Sequence, residues 1–171
     1  KETNTDNIYI SHSSPKTNLR AYIYNLRTKE KKFVKEQEVL DKNYSPKNYI
    51  TERLECKSHD GRLIPLTITR HKDTKVDGTA NILLHSYGSY GNSLSFDFSN
   101  TTLTLLNRHI IWCDASVRGG RERGEIWHQE GKMLNKKNTF EDYISAAKFL
   151  IEKKYTYKGG IVGYGGSAGG L

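Results

Sequence analysis

The residues best equipped for chemistry are Gly165-Gly166-Ser167-Ala168-Gly169, a G-x-S-x-G turn entered from the short apolar run Ile161-Val162. A serine on a sharp turn between a strand and a helix holds its hydroxyl clear of the backbone, where it can serve as a nucleophile. Gly165 and Gly169 suit their places because residues without a Cβ let the strand and helix backbones come close. A glycine-rich loop without chemistry reads the same way in a chain with 15 glycines. A second segment favours the nucleophile. Leu83-Leu84-His85-Ser86-Tyr87-Gly88-Ser89-Tyr90-Gly91 follows another apolar strand, where the loop that completes an oxyanion hole enters such a sheet. The chemistry implied is acyl transfer.

In that arrangement the orienting acid and the base follow the nucleophile along the chain, yet only four residues follow Ser167. All histidines (His12, His59, His71, His85, His109 and His128) precede it. The expectation is a fragment that carries a nucleophile and lacks its acid and base. The histidines show neither H-E-x-x-H nor H-x-H spacing, so no metal site is expected, and no motif calls for a cofactor. Arg118-Gly119-Gly120 lacks a G-x-G-x-x-G context and reads as a loop over the rim of the site rather than a phosphate cradle.

Elements must position these residues. Ile8–His12, Ala21–Leu26 and Lys32–Val34 are short β-rich runs separated by turn residues, a meander too small to bury a core of its own. Asp41–Asn48, polar and containing Pro46, reads as a linker. Ile50–Cys56 and Leu63–Thr69 form a strand pair about the Asp60-Gly61 turn, with Pro65 placed near an unpaired edge or a bulge. Ala80–His85 and Ile110–Ala115 are compact apolar strands with a short helix, Thr101–Asn107, between them. Thr139–Lys153 is the clearest helix. Thr139 and Asp142 have capping-box spacing, and Phe140, Tyr143, Ala147, Leu150 and Ile151 recur on one face. Lys153 and Lys154 suit its negative end. Strand, helix, strand, helix, strand is α/β order.

Length and composition exclude several classes. A chain of 171 residues with formal net charge +8 attracts anionic partners in principle. Its basic residues are dispersed, and the densest cluster (Arg27, Lys29, Lys31, Lys32, Lys35) is broken by Glu30 and Glu36. This is a solvated surface, so neither nucleic acid nor membrane is expected as a partner. Hydrophobic content of 35% and a mean hydropathy of −0.73 leave no run long enough for a membrane helix, and no signal-peptide core is present. Cys56 and Cys113 stand far apart, and Cys113 sits in the apolar run Ile110-Ile111-Trp112-Cys113, as expected of a buried free thiol in a reducing, cytoplasmic compartment.

Taken in order, Tyr87-Gly88, Arg118-Gly119-Gly120, Trp127-His128-x-x-Gly131, Asn138-Thr139-Phe140-x-Asp142 and the serine turn resemble the prolyl oligopeptidase family, in particular its oligopeptidase B branch. The resemblance runs from about Ile8 to Leu171. It implies the N-terminal part of an α/β-hydrolase domain (45–171), with its sheet cut after the nucleophile strand. Before it would come the end of a β-propeller and a linker (1–44). By motif, Ser167 would be the nucleophile, and the oxyanion would be held by the Tyr87 hydroxyl and the Ala168 backbone N–H. The substrates implied are short basic peptides cut after Arg or Lys. Asp97 matches one of the acids that bind the basic side chain, while Ser95 stands in place of another. His85-Ser86 replace the usual Tyr-Gly, and Asp114 is a carboxylate in a strand that is apolar in the family. The chain alone is expected to be inactive. The alternative is a non-catalytic piece that assembles with a separate C-terminal chain.

Overall fold

The computed structural model describes residues 4–171 and contains two sheets. The first is an antiparallel meander of β1 (Asn7–Ser14), β2 (Thr17–Asn25) and β3 (Lys31–Glu36). Its strands bury almost nothing: Tyr9 is 80% exposed and Phe33 53%. The meander is held by a few tethers. The Tyr44 hydroxyl donates to the Lys16 carbonyl at 2.9 Å and accepts from the Asn18 N–H at 3.1 Å. The Phe98 N–H donates to Ser13 Oγ at 3.0 Å. Tyr44 also stacks on Tyr49 and meets Phe98 edge-on. The segment expected as a linker is therefore an anchor between the two sheets.

The second sheet has the order β4-β5-β7-β6-β8. β4 (Tyr49–Lys57) and β5 (Leu63–His71) form the expected hairpin, and β5 runs antiparallel to β7 (Ile111–Ala115). β6 (Ile82–His85) lies parallel to β7 on one side and to β8 (Ile161–Tyr164) on the other. Pro65 falls one residue before the β5–β7 ladder begins at Leu66, so its missing N–H costs no strand pairing there.

From β6 the chain crosses to β7 through α1 (Asn100–Leu106), then returns past β6 to β8 through α2 (Glu125–Gln129) and α3 (Lys137–Glu152). The two helical crossovers cover opposite faces. Leu103 and Leu106 of α1 pack with Tyr49, Phe98 and Trp112 on one face. Ala146 and Leu150 of α3 pack with Ile68, Ile82, Leu84 and Cys113 on the other. The carboxyl ends of β6 and β8 thus meet where the connections diverge, the usual place for a site in an open α/β sheet.

Two expectations for α3 are corrected. Its buried stripe is Thr139, Asp142, Ala146 and Leu150, while Phe140 and Ile151 are 37% and 36% exposed. Thr139 and Asp142 are hydrogen-bonded inside, and the helix turns them toward the core. Nor do they form a capping box. The Thr139 hydroxyl donates to the Arg118 carbonyl at 2.7 Å, and the helix begins earlier, at Lys137.

Asp142 takes up the guanidinium of Arg118, the largest fully buried side chain. Arg118 Nε and Nη2 donate to its two oxygens at 2.9 and 2.7 Å, and Ser58 Oγ donates at 2.6 Å. Arg118 Nη1 reaches Asp60 at 2.5 Å. Burial alone would lower the arginine's pKa, but the two carboxylates outweigh it and raise it. This cluster ties the β4–β5 turn, the loop after β7 and α3 together. Cys56 and Cys113 are both buried and free, and burial pushes the Cys56 thiol up to about 11.

Candidate active site

The turn after β8 has the geometry that a nucleophilic serine needs. Ser167 has φ of +52°, a left-handed conformation that costs a non-glycine residue energy and persists only where the surroundings enforce it. The chain then enters a short 3₁₀ turn, Ser167–Gly170. A Cβ on Gly165 would lie 1.9 Å from the Gly169 carbonyl oxygen, and one on Gly169 would lie 3.0 Å from Tyr87 Cα. The flanking glycines therefore close the turn and let it press against the Tyr87 loop.

Two adjoining cavities open there. One, of about 510 Å³, is lined by Tyr87, Phe140, Tyr143, Gly165 and Ala168 among others. The other, of about 780 Å³, is lined by Tyr90, His128, Lys136, Ser167 and Ala168 among others. Ala168 lines both, between Tyr87 on one side and Ser167 on the other. The structure thus brings Ser167, Ala168, Gly165, Gly169 and Tyr87 into one region.

Asp97 lies elsewhere, on the surface, and accepts a hydrogen bond from Ser95. It lines neither cavity. The residue that replaces the other acid is therefore its hydrogen-bond partner.

The Arg118–Asp142 cluster supports the rim. Arg118 is buried rather than lying over the site, and it is the next residue, Gly119, that reaches the Ser167 cavity. The Gly119 carbonyl accepts from the Gly91 N–H at 2.9 Å and from His128 Nδ1 at 2.9 Å. A carbonyl can only accept, so Nδ1 carries the proton. Lys136 Nζ spans the cavity wall, donating to the Gly88 carbonyl at 2.6 Å and Ser89 Oγ at 2.9 Å. Burial lowers its pKa.

The two departures at His85 and Asp114 prove to be one feature. They are register partners on adjacent strands, and His85 Nδ1 lies 2.7 Å from Asp114 Oδ1. The buried carboxylate is partnered, as a buried charge must be. Tyr164 and Trp112 flank the His85 ring. Ser86, in the usual glycine position, is buried without a positive φ, so this backbone needs no glycine there.

None of the hydrogen bonds made by histidine side chains among the described residues goes to Ser167. His59 meets Ser58, His71 the Asp73 N–H, His85 Asp114, His109 Thr74 and His128 Gly119. Among the described residues no group of three or more His, Cys, Asp or Glu side chains is placed to hold a metal. Among the described residues no helix is long and apolar enough to cross a membrane.

A strained serine at the tip of a parallel strand, with glycines closing the turn behind it, has the strand-to-turn geometry of the G-x-S-x-G motif of α/β hydrolases. Residues 96–171 match the model of the prolyl oligopeptidase family. Dipeptidyl aminopeptidase BI of Pseudoxanthomonas mexicana is 40% identical over 171 residues, which are 99% of this chain and 23% of that protein. Protease 2 of Moraxella lacunata is 36% identical over 167 residues, 98% of this chain and 24% of that protein. The structure of oligopeptidase B from Leishmania major superposes with a TM-score of 0.90 at 34% identity, over 99% of this chain and 23% of that one. The chain belongs to the prolyl oligopeptidase family, a family of serine peptidases, and spans about a quarter of the length of the curated relatives it matches.

Proposed function

We propose that this chain is the nucleophile-bearing part of a serine oligopeptidase that cleaves short peptides after Arg or Lys. The observation that carries the reading is Ser167 at φ +52° in a glycine-closed turn, beside Ala168 and the Tyr87 loop. In the proposed reaction Ser167 Oγ attacks the scissile carbonyl while a base takes its proton. The Tyr87 hydroxyl and the Ala168 N–H stabilise the oxyanion, the amine leaves, and water releases the acyl group. The similarity to protease 2 and oligopeptidase B supports the basic specificity. Asp97 is the candidate side chain for the substrate's cation, acting with groups outside this chain. Residues 1–44 are read as the end of a propeller with its linker, and 45–171 as the first part of the catalytic domain. The compartment is read as cytoplasmic.

The base and its carboxylate are assigned to chain outside these residues, because no histidine here is bonded to Ser167. The 171-residue chain alone is therefore read as inactive. The second reading, assembly with a complementary chain, is favoured by the outer edge of β8. Among the described residues β8 pairs only with β6, and Val162 and Tyr164 are 62% and 53% exposed.

Fluorophosphonate labelling tests both readings. The chain alone should label weakly, and addition of a polypeptide completing the domain should give strong labelling that Ser167→Ala abolishes. Labelling that survives Ser167→Ala removes Ser167 as the nucleophile. Strong labelling of the lone chain contradicts an external base. In the completed enzyme, chromogenic peptides ending in Arg or Lys should be cut faster than their Pro or Ala counterparts, and the reverse order overturns the specificity.

A further inference from the structure

The larger cavity beside Ser167 has a marked charge bias. Its lining includes Lys132, Lys136 and His128, and no aspartate or glutamate side chain. The ion pairs elsewhere on this +8 surface are made mostly by arginines, as in Arg121–Glu125, Arg123–Glu55 and Arg62–Glu130. Lys136 is fixed, its ammonium held by the Gly88 carbonyl and Ser89. Those partners are neutral, so its charge is not cancelled. Lys132 takes part in none of the ion pairs among the described residues.

The local backbone adds to the field. Lys136 is the N-cap residue of α3, a helix of 16 residues with no acidic residue in its first turn and no side-chain cap. The positive end of that dipole is left without the carboxylate that helix starts commonly carry. Around this cationic floor stand exposed apolar groups: Tyr90 is 75% exposed and Met133 84%. The cavity therefore offers positive charge below and apolar contact at the lip, within reach of the serine turn.

We propose that this cavity is a carboxylate subsite for peptide, held by Lys132 and Lys136 beside Ser167. It rests on the peptidase reading and adds to it. The group bound is a carboxylate from the peptide, either its free C-terminus or an acidic side chain near the bond cut. It would confer a selectivity for short peptides distinct from any preference for a basic residue before the scissile bond. A free C-terminus close to the reacting bond limits the length of peptide beyond it, whereas an acidic side chain does not.

The test is equilibrium binding of two peptide pairs to the domain completed by its complementary polypeptide, carrying Ser167→Ala to prevent cleavage, by calorimetry or NMR titration at low and high salt. One pair is Ac-Ala-Ala-Ala-Ala with a free or an amidated C-terminus. The other is Ac-Ala-Glu-Ala-Ala-NH2 against its Gln counterpart. The carboxylate member of at least one pair should bind about ten- to a hundredfold more tightly, the range for a hydrogen bond to a charged group, and salt should erode the difference. The pair that discriminates identifies the source of the carboxylate. Lys132→Gln, at a side chain without an ion-pair partner, should bring the ratio close to one, and Lys132→Arg should keep it. Equal binding within both pairs overturns the subsite and leaves the peptidase reading intact, since that rests on Ser167 labelling. Discrimination unchanged by Lys132→Gln, or no binding of any peptide, also overturns it.

Discussion

The two sides of the larger sheet differ sharply. On the β4–β5 side, the alternating interior positions Ile64, Leu66 and Ile68 are at most 1% exposed, and the polar groups beneath are matched through Arg118, Asp142, Asp60 and Ser58. On the β8 side, the strand's neighbour among the described residues is β6 alone, and three of its four residues are exposed. The matched side concentrates stability, and the sparsely covered side holds the serine turn. A serine at φ +52° is a strained element, and strain persists where a rigid neighbour enforces it. The Arg118 cluster supplies rigidity at a distance, through Gly119 and the Gly91 loop.

The sharpest way to break the contrast is to remove one partner of the buried cluster. Asp142→Ala leaves the buried Arg118 guanidinium with Asp60 and the more distant Glu130, and should cost about 3–5 kcal/mol, measured by denaturant unfolding. Replacing both partners with apolar residues of similar volume should recover most of that loss, because the penalty comes from the unpaired charge. A double loss equal to the sum of the two single losses would mean that the pair is not energetically coupled.

Next in size is the contrast in packing between two strands that pair with or lie beside one another. Leu84 of β6 is fully buried, so Leu84→Ala should cost about 2–5 kcal/mol through lost burial and a cavity. Val162 of β8 is 62% exposed, and Val162→Ala should fall within about 0.5 kcal/mol. Comparable costs would show that β8 is covered in solution.

The same edge predicts association. β8 presents an unpaired row of backbone groups with Val162 and Tyr164 beside it, a template for strand addition. The 171-residue chain should form oligomers in light scattering. Val162→Lys should shift it toward monomer with little change in unfolding midpoint. A monomeric parent chain with no dye-binding apolar surface would refute this.

Much of this architecture was legible from local patterns. Compact apolar runs located β6, β7 and β8, the Asp60-Gly61 turn located the β4–β5 hairpin, and the glycine spacing around Ser167 located the turn whose close contacts require it. What periodicity missed was polar and long-range. Arg118 and Asp142 lie 24 residues apart, and nothing in either local window marks them as buried partners. That hidden pairing rotated α3 away from its hydropathic face and undid the capping box. His85 and Asp114 did leave a signal. Each departs from the family pattern at the same depth in adjacent strands, and two such departures taken together point to a cross-strand pair. The placement of Asp97 away from both cavities had no such signal, because spacing alone does not say where a loop side chain points.

The smallest effect concerns the thiol that reports on the matched side. Cys56 is 1% exposed, and burial, with a smaller contribution from Asp142, raises its pKa from 9.0 to about 11. A raised pKa means that the folded state holds a proton that the unfolded state has begun to release. Below pH about 9 both states are protonated and the thiol adds no pH dependence. As pH rises from there toward 11, the unfolded chain ionises first, so Cys56 makes stability fall across that window. Tyr155, raised to about 12 by burial and by its hydrogen bond to Glu52, acts in the same direction at higher pH. The measurement is therefore a difference: unfolding midpoints of the parent chain and Cys56→Ala from pH 8 to 10.5. The parent should lose more stability than the variant over that range, and the native thiol should react with a disulfide reagent far more slowly than the unfolded one, since the thiolate is the reactive species. Parallel pH curves with rapid native labelling would show that water reaches Cys56, and that the β4–β5 side opens more readily than its matched polar cluster implies.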